Sequence, residues 1–597
     1  MVRKQALATT IIQPLVQIGT GFFIPKRKIK LFAIVSISME EVIRTAVEEA
    51  LAELGILPVD FVIEHPGDLS HGDFACNVAM VLSKALGQSP RAIAEQLASK
   101  LENQIEYVDR IDIAGPGFIN FHLSRDFFVF ETRRILEAGD SWGKNDTAQN
   151  ETVLIEYTSP NLFKPLHIGN LVGNIIGEAY TRICEFSGAQ VMRINYPSDI
   201  GLTVAKGVWG LRYLKVNPDD INALGQAYKT GNDAYEADGA EKEEIIAINQ
   251  ALYAGNDEEL NGLRDAGIAT SRKQLTLLCA KLGTTFDTEI TESSASDIGV
   301  SVVKDNMGDV FTESDGAVVY QGEKHGLHTR VFLNSKGLPT YEAKDLGNFT
   351  LKQKQYPNWT RSVIVTGNEQ TEYFKVLYAA IKDIFPETAT KILEHIPTGF
   401  LTLTTGKMSS RTGNVLTGES LFSQMEEAAQ ERVSDIDSEN KTELAEAVAV
   451  AALKYQILKH NVGSNIVFDK EKALSFEGDS GPYLQYTHAR ICSVLDKAKA
   501  AGVEASLAVT PVEPYTLEKT LYRFPEVVLE ALKERAPHKV VTYLTELAGT
   551  FNTFYAHEKI ADNTDEFAHY KVALSQAVAQ TLQNGLFILA IKAPKRL

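Results

Sequence analysis

Cysteine is scarce in this chain: four among 597 residues, at Cys76, Cys184, Cys279 and Cys492, each far from the next. No pair has zinc or redox spacing, which argues against a disulfide framework and against a thiolate metal centre. The reading is free thiols in a reducing cytoplasm, with no protein-held metal. Long apolar runs are missing as well. A stretch such as Leu31 to Val35 is too short to cross a bilayer, so no membrane span is expected. Acidic residues are absent from Met1 to Ser38, where Arg3, Lys4, Lys26, Arg27, Lys28 and Lys30 are basic. That segment lacks both the compact apolar region and the clear cleavage site of a signal peptide. It is read as a poorly ordered N-terminal extension, its origin open between an upstream start and an organelle transit peptide.

Elsewhere acid prevails, and the net charge is -18. Such a balance argues against a nucleic-acid binder that works by bulk attraction. It leaves open one that grips RNA through local patches and shape. With 44% hydrophobic and 23% charged residues the composition is that of ordinary globular protein. The length suits about four folding units at roughly 150 residues each.

Residues 39–148 read as a small α+β domain. Ile43, Ala46, Val47, Ala50, Leu51 and Leu54 recur at helical spacing. Phe61 to Glu64 reads as a strand. A helix is expected from Phe74 to Leu86, stopped by Gly87, and a third starts at Ser89-Pro90, where proline suits the first helical position. Strand pieces flank the Gly115-Pro116-Gly117 turn. The pattern then changes. Val153 to Tyr157 is a short apolar strand followed by a loop. A helix from Gly169 carries Leu171, Ile175, Ile176, Ala179, Ile183 and Phe186 on one face, and Val191 to Tyr196 is a second strand. Strand, loop, helix, strand is a βαβ unit and implies a parallel sheet. Further strands are expected at Arg361 to Thr366 and Thr398 to Leu403. Val318 to Tyr320 and Thr329 to Leu333 are expected to lead an acidic insertion, about 205–335, back to that sheet. From about 420 the chain reads as helical.

The loop from Glu156 to Asn170 sits beyond the carboxyl end of a sheet strand, where open α/β sheets bind ligands. The next helix points its N-terminus there, which favours phosphate. His167 and Asn170 can donate to phosphate oxygens, and Gly169 lets a nucleotide approach the backbone. Taken alone, such a tetrapeptide reads equally well as a helix cap with a surface histidine.

The wider pattern is more specific. Pro165-Leu-His-Ile-Gly-Asn170 resembles the first signature of class I aminoacyl-tRNA synthetases, and Gly406-Lys-Met-Ser-Ser-Arg411 the second, in the right order with an insertion between. Ser159-Pro-Asn161 and Arg193-Ile-Asn-Tyr-Pro-Ser-Asp-Ile-Gly201 resemble the arginyl branch. His71-Gly-Asp-Phe-Ala-Cys-Asn77 and Ala114-Gly-Pro-Gly-Phe-Ile-Asn120 resemble its N-terminal module. Gly478 to Arg490, Phe551 to Tyr555 and Ala593 to Leu597 resemble its anticodon-binding helices.

What the resemblance implies is an α/β fold: a Rossmann-like parallel-sheet catalytic domain with an insertion, a small N-terminal α+β domain and a C-terminal all-α helical bundle. Its boundaries are expected at 1–38, 39–148, 149–420, 421–470 (a helical connector) and 471–597. The implied activity is arginine–tRNA ligation. Arginine is activated with ATP to the adenylate, releasing pyrophosphate, and is then loaded on tRNA(Arg). The implied partners are L-arginine, ATP with Mg²⁺, and tRNA(Arg), for a monomer in the cytoplasm. The implied catalytic residues are Lys164, His167, Asn170 and Lys407. ATP falls to His167, Gly169, Asn170, Lys407, Met408 and Ser409. Arginine falls to Glu156, Asn161, His167, Tyr341, Asp345 and Gln370, with Asp345 on the guanidinium and Tyr341 beside it on one helical face. Phe74, Asn77, Tyr483, Tyr486 and Arg490 are the expected tRNA contacts, mixing rings with donors. Two positions depart from the family. Asn170 stands where a second histidine is usual, and Ser410 where a lysine is. Lys164 or Arg411 would supply the missing cation.

Overall fold

The computed structural model describes residues 38–404, 417–433 and 440–597. The expected N-terminal extension therefore lies outside the described residues except for Ser38, and so do Lys407, Met408, Ser409, Ser410 and Arg411. The chain divides into two compact units, one up to Phe127 and one from Phe128 onward.

In the first unit, α1 (Met39–Glu53) begins at Ser38, whose hydroxyl accepts from Glu41 N at 3.3 Å. It buries Val42, Ile43, Ala46, Val47, Ala50 and Leu51, the helical spacing visible in the sequence. β1 (Ile63–Glu64) and β2 (Phe74–Cys76) precede α2 (Val78–Leu86) and α3 (Pro90–Leu101), with β3 (Val108–Ala114) and β4 (Phe118–Leu123) after them. The four strands form an antiparallel sheet in the order β1-β2-β4-β3. The helix expected from Phe74 starts only at Val78, because Phe74, Ala75 and Cys76 pair with strands on both sides and are buried. Gly72 makes this register possible. Its φ is 105°, and a Cβ there would lie 2.8 Å from Phe121 O.

The helix α4 (Arg125–Ala138), most of which falls in the second unit, is followed there by β5 (Thr152–Glu156), α5 (Ile168–Phe186) and β6 (Gln190–Asn195). The βαβ unit is present: β5 and β6 are parallel, with Val153 opposite Val191. Four helices follow, α6 (Leu202–Leu214), α7 (Ile221–Glu236), α8 (Ala240–Ala254) and α9 (Glu258–Lys281), then β7 (Thr288–Glu289) and α10 (Glu292–Asp305). β8 (Phe311–Ser314), β9 (Ala317–Tyr320) and β10 (Arg330–Leu333) form their own antiparallel sheet. The segments expected to lead back to the parallel sheet are thus strands of a separate sheet, which comes before Tyr341–Gln355 and Arg361–Gly367 in the chain. Four-residue strands joined by short turns pair with each other first. α11 (Tyr341–Gln355), β11 (Arg361–Gly367), α12 (Thr371–Ile384) and β12 (Ile392–Thr398) complete the Rossmann-like layer.

The parallel sheet has the order β12-β11-β5-β6-β7. β5 is central, and Val153, Leu154 and Ile155 are all buried, as a strand covered on both faces requires. The chain winds outward from β5 in both directions, so a crevice opens beyond Glu156. The strand expected at Thr398 to Leu403 divides. Thr398 ends β12, while β13 (Leu401–Leu403) pairs outside this sheet with β14 (Ile466–Phe468).

Helices dominate the remainder: α13 (Gly418–Arg432), α14 (Lys441–Leu458), α15 (Lys470–Ala473), α16 (Gly481–Ala500), α17 (Thr516–Leu521), α18 (Phe524–Glu534), α19 (Pro537–His557) and α20 (Ala568–Ile588). One apolar core runs from Val153, Ile155 and Val363 through α5 into these helices. The bundle is therefore bonded to the back of the sheet by burial, not tethered by a linker.

Candidate active site at the end of the central strand

The crevice beyond β5 gathers charge. Glu156 ends the strand and is buried. Its carboxylate pairs with Lys352 and accepts from Asn348 Nδ2 at 2.8 Å. Both partners lie on α11, at i+3 and i+7 from Asp345, so one face of that helix looks onto the strand end. Asp345 Oδ2 accepts from the Tyr373 hydroxyl at 2.5 Å. Burial pushes the Asp345 carboxyl up to about 8. Tyr373 opposes that shift, while Glu156 and Glu292 add to it. A cation placed against this buried carboxyl would offset the burial that raises its pKa.

Tyr341 opens α11 and is 64% exposed, with the Lys344 ammonium 5.6 Å from its ring centroid. The ring that bonds Asp345 is Tyr373, 28 residues later on α12. Tyr196, just past β6, is buried, and its hydroxyl has no hydrogen-bond partner among the described residues. Burial together with Asp345, Glu292, Glu156 and Asp199 holds that hydroxyl well above the usual phenol range. Sequence reading missed Tyr373, Asn348 and Lys352, which carry no motif, and gave no role to Tyr196, although it lies in the Arg193 to Gly201 stretch. The only signal for Asn348 and Lys352 was their spacing from Asp345 along one helix face. Gln370 is exposed in the turn before α12.

The other wall is the N-terminus of α5. His167 is its N-cap, and its Nδ1 accepts from Gly169 N at 3.1 Å. Desolvation lowers the His167 pKa, with Lys164 adding to the effect and Glu369 opposing it. These surroundings favour the neutral ring. Asn170 does not point its amide only at solvent: Nδ2 donates to Thr158 O at 2.7 Å. Asn174 Nδ2 donates to Thr158 Oγ1 at 2.9 Å. These bonds hold an unusual loop, with φ of 74° at Thr158 and 37° at Ser159. Left-handed backbone at non-glycine residues costs about 1–3 kcal/mol each and persists only where neighbours enforce it. Asn161 sits in the same loop, bridged to Ser198. Lys164 lies 5.9 Å from the Tyr228 ring centroid, its pKa lowered by burial and then by Lys206.

Thr417, the first described residue after the second signature, bridges to His167, and Gly418 N donates to Leu166 O at 2.7 Å. Glu419 Oε1 accepts from Leu166 N at 2.8 Å. The segment that follows Lys407 is thus anchored against the segment that carries His167.

Among the helices, Tyr483, Tyr486 and Arg490 share α16. Asn552 Nδ2 donates to the Tyr483 hydroxyl at 2.9 Å, and Arg490 Nη1 donates to Asn552 Oδ1 at 2.6 Å. The Arg490 guanidinium lies over the Tyr486 and Tyr555 rings, at 4.7 and 5.4 Å from their centroids. This partly open platform of rings and one cation suits unstacked bases. His488, by contrast, is buried against Pro594 O. In the small unit Phe74 is 1% exposed beside His65, so its ring belongs to the core and presents no face to a base, which corrects the expected contact. Asn77 Oδ1 accepts from Val62 N at 2.9 Å and ties α2 to the first strand.

Three family models match the chain: "tRNA synthetases class I (R), catalytic domain" over residues 132–470, "DALR anticodon binding domain" over 484–597, and "Arginyl tRNA synthetase N terminal domain" over 41–123. The arginine–tRNA ligase of Levilactobacillus brevis is 32% identical over 574 residues, 93% of this chain and 99% of that protein. The arginine–tRNA ligase of Lactococcus lactis is 31% identical, covering 91% and 97%. Among solved structures, Thermus thermophilus arginyl-tRNA synthetase superposes with a TM-score of 0.77 at 25% identity, covering 94% of this chain and all of that one.

Proposed function

The chain belongs to the class I arginyl-tRNA synthetases, and from that premise we propose how its residues divide the work of arginine–tRNA ligation. The reaction has two steps. An arginine carboxylate oxygen attacks the α-phosphorus of ATP, forming the mixed anhydride as the bond to pyrophosphate breaks. A ribose hydroxyl at the tRNA end then attacks the arginine carbonyl, and AMP leaves with the former anhydride oxygen. Neither step needs a nucleophile from the protein. Both need placed donors and cations for charge that builds on phosphate oxygens.

Asp345 takes the guanidinium, and Tyr373 aims its carboxylate; Tyr341 closes the side and Gln370 the rim. Glu156 and Asn161 hold the substrate's amino and carboxylate groups. The buried partnership of Glu156 with Asn348 and Lys352 fixes its orientation. His167, neutral, and the backbone at Gly169 meet the ATP phosphates at the helix tip. Asn170 spends one N–H on Thr158 and offers the other to phosphate. Lys407, Met408 and Ser409 complete the ATP site in this reading, supported by the anchoring of Thr417 beside His167. Lys164, next to the first signature and in the field of Lys206, supplies the cation that Ser410 lacks. ATP brings Mg²⁺ as its phosphate counter-ion, and among the described residues no group of three His, Cys, Asp or Glu is gathered to hold a metal alone. Tyr483, Tyr486, Arg490 and Asn77 contact tRNA(Arg). In this reading the protein works as a monomer in the cytoplasm, a setting that its four free thiols suit. No helix among the described residues is long and apolar enough to cross a membrane.

The observation that carries this reading is Asp345, bonded by Tyr373 and set on the helix whose Asn348 and Lys352 hold Glu156 at the end of the central strand. ATP–pyrophosphate exchange with each of the twenty amino acids, with and without tRNA, tests it. Exchange with arginine alone is expected. Tight tRNA binding without arginine-dependent exchange would make this a non-catalytic RNA binder.

A further inference from the structure

The left-handed loop at Thr158 and Ser159 needs an external brace, and the brace leads far from the crevice. Tyr157, fully buried, donates its hydroxyl to Glu178 Oε2 at 2.6 Å. Glu178 is 1% exposed, and its other oxygen accepts from Arg182 Nε at 2.7 Å. Arg182 is a branch point. Nη1 donates to Phe587 O at 2.9 Å, Nη2 to Gly283 O at 2.9 Å, and the guanidinium lies 4.8 Å from the Phe587 ring centroid. Phe587 stands in the last turn of α20. Just beyond it, buried Lys454 donates to Ala590 O at 2.8 Å and to Leu282 O at 2.6 Å. The tail continues onto α16, where Gln485 donates to Lys592 O at 2.8 Å and His488 bonds Pro594 O at 2.9 Å. An unbroken set of polar contacts and short chain segments thus runs from the helix bearing Tyr486 and Arg490 to the loop beside Glu156 and Asn161.

We infer that Arg182 is a positioning residue that couples RNA seated on the C-terminal helices to the amino-acid pocket. The inference rests on the synthetase reading and deepens it. Packing alone does not call for this arrangement, because a buried carboxylate shared by Tyr157, Arg182 and Arg193 is costly to assemble. The planar fork of Arg182 makes it stiff: α20 cannot shift along its axis without pulling Nη1, and Nε pulls Glu178 with it. Glu178 then draws on Tyr157 and, through it, on the left-handed loop at Thr158 and Ser159. A strained element biased from two sites is what coupling requires.

The test uses the full chain. Arginine dissociation constants are measured in the presence of a non-hydrolysable ATP analogue, with and without tRNA(Arg) transcript. In the unaltered protein the two constants are expected to differ by about 5- to 150-fold, the usual range for coupled sites. In Arg182→Gln the ratio falls toward one, while tRNA affinity without arginine stays within about threefold, since the Arg182 donors are engaged by Glu178, Phe587 and Gly283. Tyr157→Phe removes one hydroxyl and keeps the ring, so it folds even where Arg182→Gln does not, and it loses the ratio too. A merely structural role would weaken arginine binding equally in both states and leave the ratio intact. A ratio of one in the unaltered protein, or a ratio retained in the variants, overturns the inference. If the unaltered protein binds neither arginine nor tRNA, the synthetase reading falls and this inference falls with it.

Discussion

Asp345 and Tyr373 meet at 2.5 Å across the first turns of α11 and α12, and the bond engages only Oδ2 of the carboxylate among the described residues. The geometry orients the second oxygen without occupying it. A planar guanidinium presents paired N–H donors, and a carboxylate fixed at one oxygen is a ready acceptor for them. Asp345→Asn keeps the shape and removes the charge. The expected result is a rise of roughly 30-fold or more in the arginine KM, since truncating a buried charge pair costs about 2–5 kcal/mol. The ATP KM stays near its starting value. Equal rises in both, measured by pyrophosphate exchange, would remove Asp345 from the guanidinium.

Arginine binding should also titrate. Burial pushes the Asp345 carboxyl up to about 8, flanked by Tyr373 on α12, Glu156 on β5, Glu292 on α10 and Lys352 on its own helix. Guanidinium binds the carboxylate form, so each proton bound below that pH competes with arginine. The arginine KM is expected to rise as pH falls from 9 to 6, approaching about tenfold per unit. Tyr373→Phe removes a bond that lowers the Asp345 pKa, so its profile shifts to higher pH. The sign for stability is opposite to that of an ordinary paired carboxylate. A folded pKa above the unfolded one means the native state holds an extra proton between 3.8 and about 8, so this group's contribution declines as pH rises through that window. A flat KM profile would show that the carboxyl is ionised throughout.

The sequence made the central βαβ unit legible because its cues are local. Val153 to Ile155 form an unbroken apolar run, Gly188 stops the helix, and a second apolar run follows. Ser89-Pro90 was equally readable as a cap and a first helical residue. Where reading failed, the deciding contact was remote. Phe74 joins a strand because Phe121 lies opposite it, 47 residues on. Thr329 to Leu333 could not declare which sheet it joins, since a four-residue strand carries no record of its neighbour. The signature residues of the site were visible as words, but their support was not. Lys352 meets Glu156 across nearly 200 residues, and Tyr373 has no motif to mark it.

Lys352 tests how far that hidden support matters. Its ammonium and the Glu156 carboxylate are both almost wholly enclosed. Lys352→Met preserves much of the volume and leaves Glu156 with Asn348 alone. An uncompensated buried charge costs about 3–5 kcal/mol, so the catalytic unit should unfold at clearly lower urea. The double variant Glu156→Gln, Lys352→Met should recover most of that stability, because neither charge then needs a partner, while arginine activation stays lost. If both variants unfold alike, the pair contributes only packing.

The placement of Asp345 depends finally on how closely α10 and α11 approach. A Cβ on Gly347 would lie 2.0 Å from Ala295 O, and one on Gly299 would lie 1.8 Å from Ala343 O. Both obstacles are backbone, which cannot rotate aside. Gly347→Ala should therefore push α11 from α10, at a cost of at least about 1–3 kcal/mol. Because Asp345 sits two residues away, the push also displaces the carboxylate, and a shift near 1 Å costs on the order of 100-fold in rate. Gly262→Ala is the matched control, since its Cβ in α9 would meet nothing within 4 Å. That change should stabilise the protein by about 0.4–1 kcal/mol and leave exchange unaltered. Comparable activity in the two variants would mean that α11 tolerates displacement, and that the pocket is set by α12 and Tyr373 instead.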